Sequence, residues 1–480
     1  MSALHDLSAT EQADLIRSGE ISPLDLMRHY LERIERHDRR LGAFITRTPE
    51  AALEAAERAT ARVREAADPR ELPPLFGVPT AIKDLHPTAG VRTTLGSAAL
   101  SDWVPAADGH AVGAIRDAGM ISVGKTNVPE FGIVCYTAND LAPDARTPWD
   151  ETRSASGSSG GAAAAVAAGL LPVAHGSDGG GSIRTPAATC GLIGFKSSRG
   201  MMSTAPSLSW SAYISEGPLA RTMADAAAFL EIVTAPNPGD PHNRPLPRGS
   251  YVAALERPPG RLRIARTARP GGGGAVHPDC VAVWERASTA LADLGHEIVD
   301  IDPPDGPVFD TMADHLLTLF GVSVKVAADT VIPAERRDEL RPLSKWLVEN
   351  GGRTSAAEVE LAYRTHMAVA SRILLALEPY DALLTPTTAD PPTPLDWLKA
   401  EGDPVESYRR IASWSAFTPA YNLSGQPAVS LPFGHGAGGL PIGVQLVGRR
   451  FEDDRLVALA AQLEQAAPWR DRHPAIWTEG

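Results

Sequence analysis

The spacing of apolar residues near the N-terminus predicts two helices. Serine and proline at positions 22–23 are typical of a helix start. The apolar residues that follow recur on one helical face: Leu26, Tyr30, Leu31 and Ile34. Residues 50–67 are alanine-rich and charged without a break, which predicts a second, more exposed helix ending before Asp68-Pro69. We expect this helical segment, residues 1–70, to pack on the rest of the protein.

From residue 73 to residue 200, short apolar runs alternate with helical windows. The strand-like runs lie at 78–82, 121–123 and 171–174, and the helical windows lie at 111–118 and 162–168. This alternation predicts an α/β layered fold. Loops dense in glycine, serine and threonine separate the elements, and such loops are where an α/β scaffold usually presents its chemistry.

The second half of the chain contains two stretches that resemble linkers or surface loops. Residues 236–259 are rich in proline, asparagine and arginine, and residues 271–274 are all glycine, so we expect a surface insertion at about 236–275. Strand-like pieces nevertheless resume at Leu262, between these two stretches, and then at Ile298, Leu383 and Val444. A sheet that continues past an insertion and a new domain are equally compatible with this pattern.

Composition narrows the class of protein. The formal net charge of -13 gives the surface the wrong sign for nucleic acid or anionic membranes. Three cysteines, Cys135, Cys190 and Cys280, suit neither a disulfide framework nor a metal-ligand pattern. No leader-like or bilayer-length apolar segment is evident, so we expect a cytoplasmic protein without nucleic-acid or membrane partners.

Two glycine- and serine-rich loops, at 154–161 and 176–186, carry the candidate chemistry. Each leads into small residues suited to starting a helix, so each can aim backbone N–H groups at an anion. A flexible linker is the alternative, but it would not need the charged Asp178 and Arg184. A phosphate-binding loop requires a Gly-Lys-Ser/Thr ending that neither loop has.

Two further hypotheses concern the nucleophile and its base. Gly157-Ser-Ser-Gly-Gly161 satisfies the nucleophile-elbow pattern with Ser159 as nucleophile, but the preceding residues 147–153 are turn-like and not strand-like. Lys83 ends an apolar run, and a buried lysine amine has a lowered pKa and can act as a base. The alternative is a surface lysine paired with Asp84.

Several ordered motifs resemble the amidase signature family over most of the chain. They are Gly77-Val-Pro-Thr-Ala-Ile-Lys-Asp84, Gly124-Lys-Thr-Asn-Val-Pro-Glu-Phe131, Gly157-Ser-Ser-Gly-Gly161, Gly180-Gly-Ser-Ile-Arg184, Gly217-Pro-Leu-Ala-Arg-Thr-Met-Ala-Asp225, Asp381-Ala-Leu-Leu-Thr-Pro386, Asn422-Leu-Ser-Gly-Gln-Pro-Ala-Val-Ser430 and Gly439-Leu-Pro-Ile-Gly-Val-Gln-Leu-Val-Gly448. The resemblance implies a single α/β domain over residues 1–480, with a mixed, mainly parallel central sheet covered by helices on both sides.

The resemblance also implies a serine, serine, lysine triad. Ser182 is then the acylated nucleophile, Ser158 the bridging serine on a cis peptide bond, and Lys83 the terminal base. Backbone N–H groups from Gly179 to Ser182, which include Gly180 and Gly181, are expected to form the oxyanion hole. The family pair at Asp178 and Arg184 is expected to brace the nucleophile loop.

Three positions depart from the family pattern without removing a catalytic atom. Residues 154–157 read Ser-Ala-Ser-Gly where Ser-Pro-Gly-Gly is usual, and Gly179 replaces a Thr, Ile or Val. Residues 196–200 lack the customary proline.

The resemblance predicts hydrolysis of small non-peptide amides, namely secondary amides, anilides and carbamates, by a monomer or homodimer with no cofactor or metal. Aromatic residues near the motifs are candidates to line an acyl or aryl pocket: Phe131, Tyr136, Trp210 and Trp414. Residues 201–214 are a candidate cover over it. The alternative functions are the glutamine amidase subunit of a tRNA-dependent amidotransferase complex and a catalytically inactive binding protein.

Overall fold

Helix α2 shows how local sequence signals shape the N-terminal part of the chain. It spans Pro23–Leu41, and the Ser22 hydroxyl accepts a hydrogen bond from the Asp25 N–H at its start. Gly42, in the left-handed conformation, ends it. Its buried face includes Leu26, Tyr30 and Ile34. The predicted helix is confirmed, and its apolar face packs inward as expected.

This structure is a computed structural model, and it describes residues 3–205, 213–240, 249–306, 309–397 and 403–479. The helices are α1 (Ala9–Ser18), α2, α3 (Pro49–Glu65), α4 (His110–Asp117), α5 (Gly160–Ala167), α6 (Arg184–Cys190), α7 (Met223–Val233), α8 (Tyr251–Ala254), α9 (Pro278–Asp293), α10 (Phe309–Thr330), α11 (Pro342–Arg353), α12 (Ala356–Leu377), α13 (Pro404–Trp414), α14 (Pro419–Leu423) and α15 (Asp453–Ala466). The strands are β1 (Phe44–Arg47), β2 (Pro79–Lys83), β3 (Ile121–Thr126), β4 (Val173–Asp178), β5 (Ile193–Lys196), β6 (Ser215–Ala220), β7 (Arg263–Arg266), β8 (Glu297–Asp300), β9 (Ala382–Pro386), β10 (Ala428–His435) and β11 (Pro441–Gly448).

The strands form two sheets. A small sheet has the order β1-β3-β2, and an eight-stranded sheet has the order β4-β6-β5-β10-β11-β9-β7-β8. The predicted single α/β domain with a mixed sheet is confirmed. The expectation of mainly parallel strands needs correction, because five of the seven neighbouring pairs in the large sheet are antiparallel. The alternation of strands and helices along the chain does not specify which strands become neighbours.

Strand β11 shows that helices cover both faces of the large sheet, because successive side chains of a strand point to opposite faces. Ile442, Val444 and Leu446 belong to a buried cluster that includes residues of α9 and α15. On the other face, Gly443 lies so close to α6 that an added Cβ would stand 2.6 Å from the Ala188 side chain. That close approach sets α6, and the loop before it, tightly against the sheet.

The predicted surface insertion at about 236–275 is only partly correct. Strand β7 lies within this range, between β9 and β8 in the large sheet, and its Ile264 and Ala265 are fully buried. Tyr251 of α8 is also buried. The strand-like piece at Leu262 indicates this strand, but its short length and the proline- and glycine-rich sequence on either side of it do not specify that it belongs to the large sheet.

The N-terminal helices lie against the rest of the domain. The backbone N–H of Thr10 in α1 donates to the Asp225 carboxylate in α7 at 2.9 Å. The Arg33 guanidinium in α2 donates to the carbonyl of Gly169 at 2.9 Å. Across the described ranges, no helix has both the length and the apolar character needed to cross a membrane.

Candidate active site

Strand β2 carries Lys83 into the interior. All residues of β2 are buried, and the strand pairs in parallel with β3. The Lys83 amine donates to the Ser158 hydroxyl at 2.8 Å and to the Ser177 carbonyl at 2.8 Å. The neighbouring Asp84 carboxylate instead accepts from the Thr94 hydroxyl at 2.5 Å. The alternative of a surface lysine paired with Asp84 is therefore wrong.

Burial changes the protonation of this amine. Because the ammonium form is costly away from water, burial lowers the pKa of Lys83 to about 7, and the carboxylates of Asp178 and Glu216 oppose that shift. A substantial fraction of the amine is therefore uncharged at neutral pH. An uncharged amine within hydrogen-bond distance of a hydroxyl can accept its proton.

The first glycine- and serine-rich loop presents Ser158. The peptide bond between Gly157 and Ser158 is cis, as the family resemblance implied. Helix α5 begins at Gly160, directly after the loop. Residues 147–153, directly before the loop, contain no strand, and the Ser159 hydroxyl donates to the Ser177 carbonyl at 3.3 Å. The nucleophile-elbow alternative, which needs a strand before Ser159, does not fit this geometry.

The second loop places Ser182 beside the first. Strand β4 ends at Asp178, and α6 begins at Arg184. Between them, the Ser182 carbonyl accepts a hydrogen bond from the Ser159 N–H at 3.2 Å, which ties the two loops together. Ser158 and Ser182 both line one cavity of about 780 Å³. The structure thus brings the predicted serines to a common cavity wall.

A buried ion pair holds the second loop in shape. The two oxygens of Asp178 accept from Arg184 Nε and Nη2, each at 2.9 Å, and both side chains are fully buried. The same carboxylate accepts from the N–H groups of Gly181 at 2.7 Å and Ile183 at 3.1 Å. The Arg184 charge holds the pKa of Asp178 well below its usual range despite burial. The expected bracing role of this pair has a direct structural basis.

The backbone donors near Ser182 divide into two groups. The Gly181 N–H is used by Asp178, so we remove Gly181 from the expected set of oxyanion donors. Gly179, Gly180 and Ser182 line the cavity. Within the described part of the chain, no acceptor is found for their N–H groups. These three remain candidates to bind an oxyanion.

The aromatic candidates for the pocket fall in different places. Phe131 lines the cavity. Tyr136 and Trp414 do not, and both belong to the buried cluster behind it. Trp210, and residues 206–212 of the candidate cover, lie outside the described residues. Tyr136 and Trp414 were chosen for their proximity to motifs, and closeness in sequence to a motif does not determine which way a side chain points.

Sequence reasoning missed two groups of residues at the site. One is a buried cluster of His86, His175 and Glu216. The other is an apolar wall supplied by α10 and α13, which includes Leu316, Phe320, Val324, Tyr408 and Ile411. The one signal in the sequence is Glu216, an acidic residue directly before the motif that begins at Gly217. The amphipathic pattern of α10 and α13 does not specify what their apolar faces cover.

Comparison with known proteins identifies the family to which this chain belongs. A family model described as Amidase matches residues 25–457. The chain belongs to the amidase signature family. It is accordingly an enzyme that hydrolyses amides.

Within the amidase signature family, the relatives have several activities. The putative amidase AmiB2 of Mycobacterium tuberculosis is 38% identical over 474 residues, covering 98% of each chain. A glutamyl-tRNA(Gln) amidotransferase subunit of Moorella thermoacetica is 35% identical over 496 residues, covering 98% of this chain and 99% of the relative.

Two solved amidase signature structures are similar over nearly their full lengths. A 6-aminohexanoate cyclic dimer hydrolase complexed with substrate superposes with a TM-score of 0.91 at 31% identity, covering 99% of this chain and 100% of that one. A bacterial aryl acylamidase superposes with a TM-score of 0.87 at 28% identity, covering 98% of both chains. These likenesses establish the family and its fold without establishing the substrate.

Replacing Asp178 by Asn tests the bracing role of the buried pair. Because the variant leaves the Arg184 charge buried without its partner, we expect it to lower the free energy of unfolding by about 3–5 kcal/mol. Urea denaturation followed by circular dichroism measures the change. Asp150→Asn, at a partly exposed carboxylate 3.2 Å from Arg153, is the matched control and should cost about 1 kcal/mol or less. Equal losses in the two variants would contradict the assignment.

Proposed function

We propose that this enzyme hydrolyses small non-peptide amides through an acyl-enzyme on Ser182. Ser158 bridges the nucleophile and its base, and Lys83 is that base. One observation supports the proposal above the others. The fully buried Lys83 amine lies 2.8 Å from the hydroxyl of Ser158, and Ser158 lines the same cavity as Ser182. Burial of a lysine amine is costly unless the charge is lost or paired, and this amine also contacts a hydroxyl at the cavity wall.

Each proton has a defined route in this mechanism. The Ser182 oxygen attacks the amide carbonyl as its proton passes to Ser158, and the Ser158 proton passes to Lys83. The reverse relay protonates the leaving amine when the tetrahedral intermediate collapses. Water then attacks the acyl-enzyme, with the same relay removing its proton, and releases the carboxylic acid and free Ser182.

The negative oxygen of the intermediate needs donors that are fixed before the reaction. The N–H groups of Gly179, Gly180 and Ser182 are suited to this, because they line the cavity and have no acceptor of their own among the described residues. Asp178 keeps them in place by holding Gly181 and Ile183. Preorganised donors of this kind contribute about 2.7–4 kcal/mol each to transition-state stabilisation.

The cavity favours apolar acyl or aryl groups. Apolar residues dominate its wall, including Leu95, Trp103, Phe131, Ile133, Val134, Leu316, Phe320 and Val324. This supports alkyl or aryl secondary amides and anilides as the substrate class. Carbamates fit the same chemistry, because they present the same carbonyl carbon to Ser182 with one further heteroatom attached.

The glutamine amidase subunit of an amidotransferase is the second candidate, favoured by the 35% identity to the protein of Moorella thermoacetica. Free glutamine carries an α-carboxylate that normally requires a cationic partner. No lysine or arginine is present among the described residues that line the cavity. The apolar wall therefore supports the free-standing amidase more strongly. We keep the prediction of a monomer or homodimer without a cofactor.

Lys83→Ala tests the base. In the wild type, kcat/KM for para-nitroacetanilide should rise as pH increases through about 7, where Lys83 loses its proton, and then level off. The variant should lose roughly 10²–10⁴-fold in kcat/KM on the plateau, together with this dependence on pH. Release of nitroaniline, followed by absorbance between pH 5 and 10, measures both. A variant with wild-type rates would refute the lysine assignment.

Ser182→Ala and Ser159→Ala separate the two possible nucleophiles. A fluorophosphonate probe should label the wild type and Ser159→Ala, because only the hydroxyl at position 182 forms the covalent adduct. Ser182→Ala should remain unlabelled and inactive. Intact-protein mass spectrometry gives the added mass, and peptide mapping gives its position. Labelling that survives in Ser182→Ala but disappears in Ser159→Ala would restore the nucleophile-elbow alternative.

A substrate panel tests the class. We expect release of nitroaniline from para-nitroacetanilide and longer acyl nitroanilides, and release of nitrophenol from a nitrophenyl carbamate, with kcat/KM rising as the acyl chain fills the apolar cavity. Glutamine should give little ammonia under the same conditions. Turnover of glutamine without turnover of any anilide would replace this proposal with the amidotransferase function. Ser182→Ala is the control for background hydrolysis.

A further inference from the structure

A cluster of two histidines and one glutamate lies beside Lys83. The His175 Nε2 atom is 2.8 Å from Glu216 Oε2, and His86 Nδ1 is 3.5 Å from the same oxygen. The rings of His86 and His175 meet edge to face with centroids 4.7 Å apart. All three side chains are at least largely buried, with exposed fractions of 15%, 0% and 6% for His86, His175 and Glu216. The mechanism proposed above gives none of them a role.

Hydrogen bonds assign the proton on His175. The backbone N–H of Lys83 donates to His175 Nδ1 at 3.4 Å, so this nitrogen carries a lone pair. The proton of the neutral ring is then on Nε2, and it is donated to Glu216. Residue types and spacing alone would suit a metal ion. A protonated Nε2 has no lone pair to offer one, so the hydrogen bonds favour an ordered carboxylate instead.

Strand pairing places Glu216 next to the base. Glu216 of β6 is the direct cross-strand neighbour of Ser177 in β4. The Ser177 carbonyl is one of the two acceptors of the Lys83 amine. Glu216 and Ser158 also line the same cavity. The pairing of β4 with β6 therefore fixes the Glu216 carboxylate near the Lys83 amine.

The two carboxylates that stabilise a charge on Lys83 differ in their own partners. Asp178 is engaged by both nitrogens of the Arg184 fork, which neutralises it. Glu216 instead faces two imidazoles. Burial lowers the pKa of His86 to about 3, so that ring is uncharged at neutral pH. Despite burial, the pKa of Glu216 is lowered, and the hydrogen bond from His175 contributes to this. Glu216 thus presents a negative charge that no arginine or lysine of the described ranges pairs with directly.

We propose that Glu216 is a positioning residue whose carboxylate stabilises the ammonium form of Lys83 when that amine takes up the proton of the serine relay. The inference rests on the proposed function of Lys83. His175 links the two, since it accepts from the Lys83 backbone and donates to Glu216. The charge that develops on Lys83 during acylation is then balanced by a fixed anion in a site of low dielectric constant, where such an interaction is strong.

Several other titratable or charged groups lie around Lys83 and Glu216, and a substitution of Glu216 leaves their identities unchanged. They are His86, His110, Lys125, His175 and Asp178. Removing the Glu216 charge alone makes the ammonium form of Lys83 less favourable. The pKa of the Lys83 amine therefore falls, so the amine loses its proton at a lower pH and is a weaker base once it is uncharged.

Glu216→Gln tests the inference, because glutamine keeps the shape and an oxygen that can accept from His175. We expect the midpoint of the acidic limb of kcat/KM to move ~1–2 pH units toward acid relative to the wild type. On the plateau above pH 8, the rate should fall by at most about tenfold for each unit by which the pKa of the base is lowered. Hydrolysis of para-nitroacetanilide between pH 4.5 and 9.5 measures both quantities. Glu216→Asp, which keeps the charge but moves it, should give an intermediate midpoint.

Asp225→Asn is the matched control. Its carboxylate is also buried, but it accepts a hydrogen bond from the backbone N–H of Thr10 in α1 and has no link to Lys83 through His175. The variant should therefore keep the wild-type midpoint. A lower rate for Glu216→Gln at an unchanged midpoint would show a purely structural role and overturn the inference. If Glu216→Gln does not fold, Glu216→Ala also removes the charge, and an unchanged midpoint in that variant overturns the inference equally. Persistence of the acidic limb in Lys83→Ala would instead overturn the proposed function, and the inference with it.

Discussion

The Asp178 carboxylate is the acceptor on which the geometry of the site depends. It ends β4, receives the N–H groups of the loop that follows, and pairs with Arg184 at the start of α6. Arg184 extends the network by donating to Gln445 in β11 at 2.7 Å and to Asn422 in α14 at 2.6 Å. A buried pair is tolerated when each remaining polar atom has a partner, and here the partners come from the loop itself, from β11 and from α14. The loop carrying Ser182 is consequently fixed from several directions.

Local signals predicted the parts of this protein that local interactions determine. The serine and proline that start α2 are a short-range feature, and the structure has the helix begin there. Lys83 at the end of an apolar run indicated a buried amine, and the structure shows that burial. The glycine- and serine-rich loops precede α5 and α6 as expected. In each case, residues close in sequence supply the interaction that decides the outcome.

The features that could not be predicted depend on contacts between distant segments. Strand order is one, because the antiparallel pairing of β10 with the distant β5 is not encoded in either strand. The engagement of the Gly181 N–H by Asp178 is instead a contact between residues three apart, but the sequence gives no sign of which donors are already used. Glu216 gained its neighbours His86 and His175 from a loop and a strand far from it in the chain.

Part of the cavity wall comes from a stretch of the chain that carries none of the proposed reacting groups. Residues 83–182 supply Lys83, Ser158 and Ser182 together with wall residues such as Phe131, whereas residues 316–331 and 408–419 supply further apolar surface. Mutations in the later helices can therefore reshape part of the binding surface while leaving the proposed proton relay untouched. Natural divergence and laboratory evolution of new amide preferences are both open to a scaffold organised in this way, since this part of the recognition surface can vary without changing the residues proposed to cleave the bond.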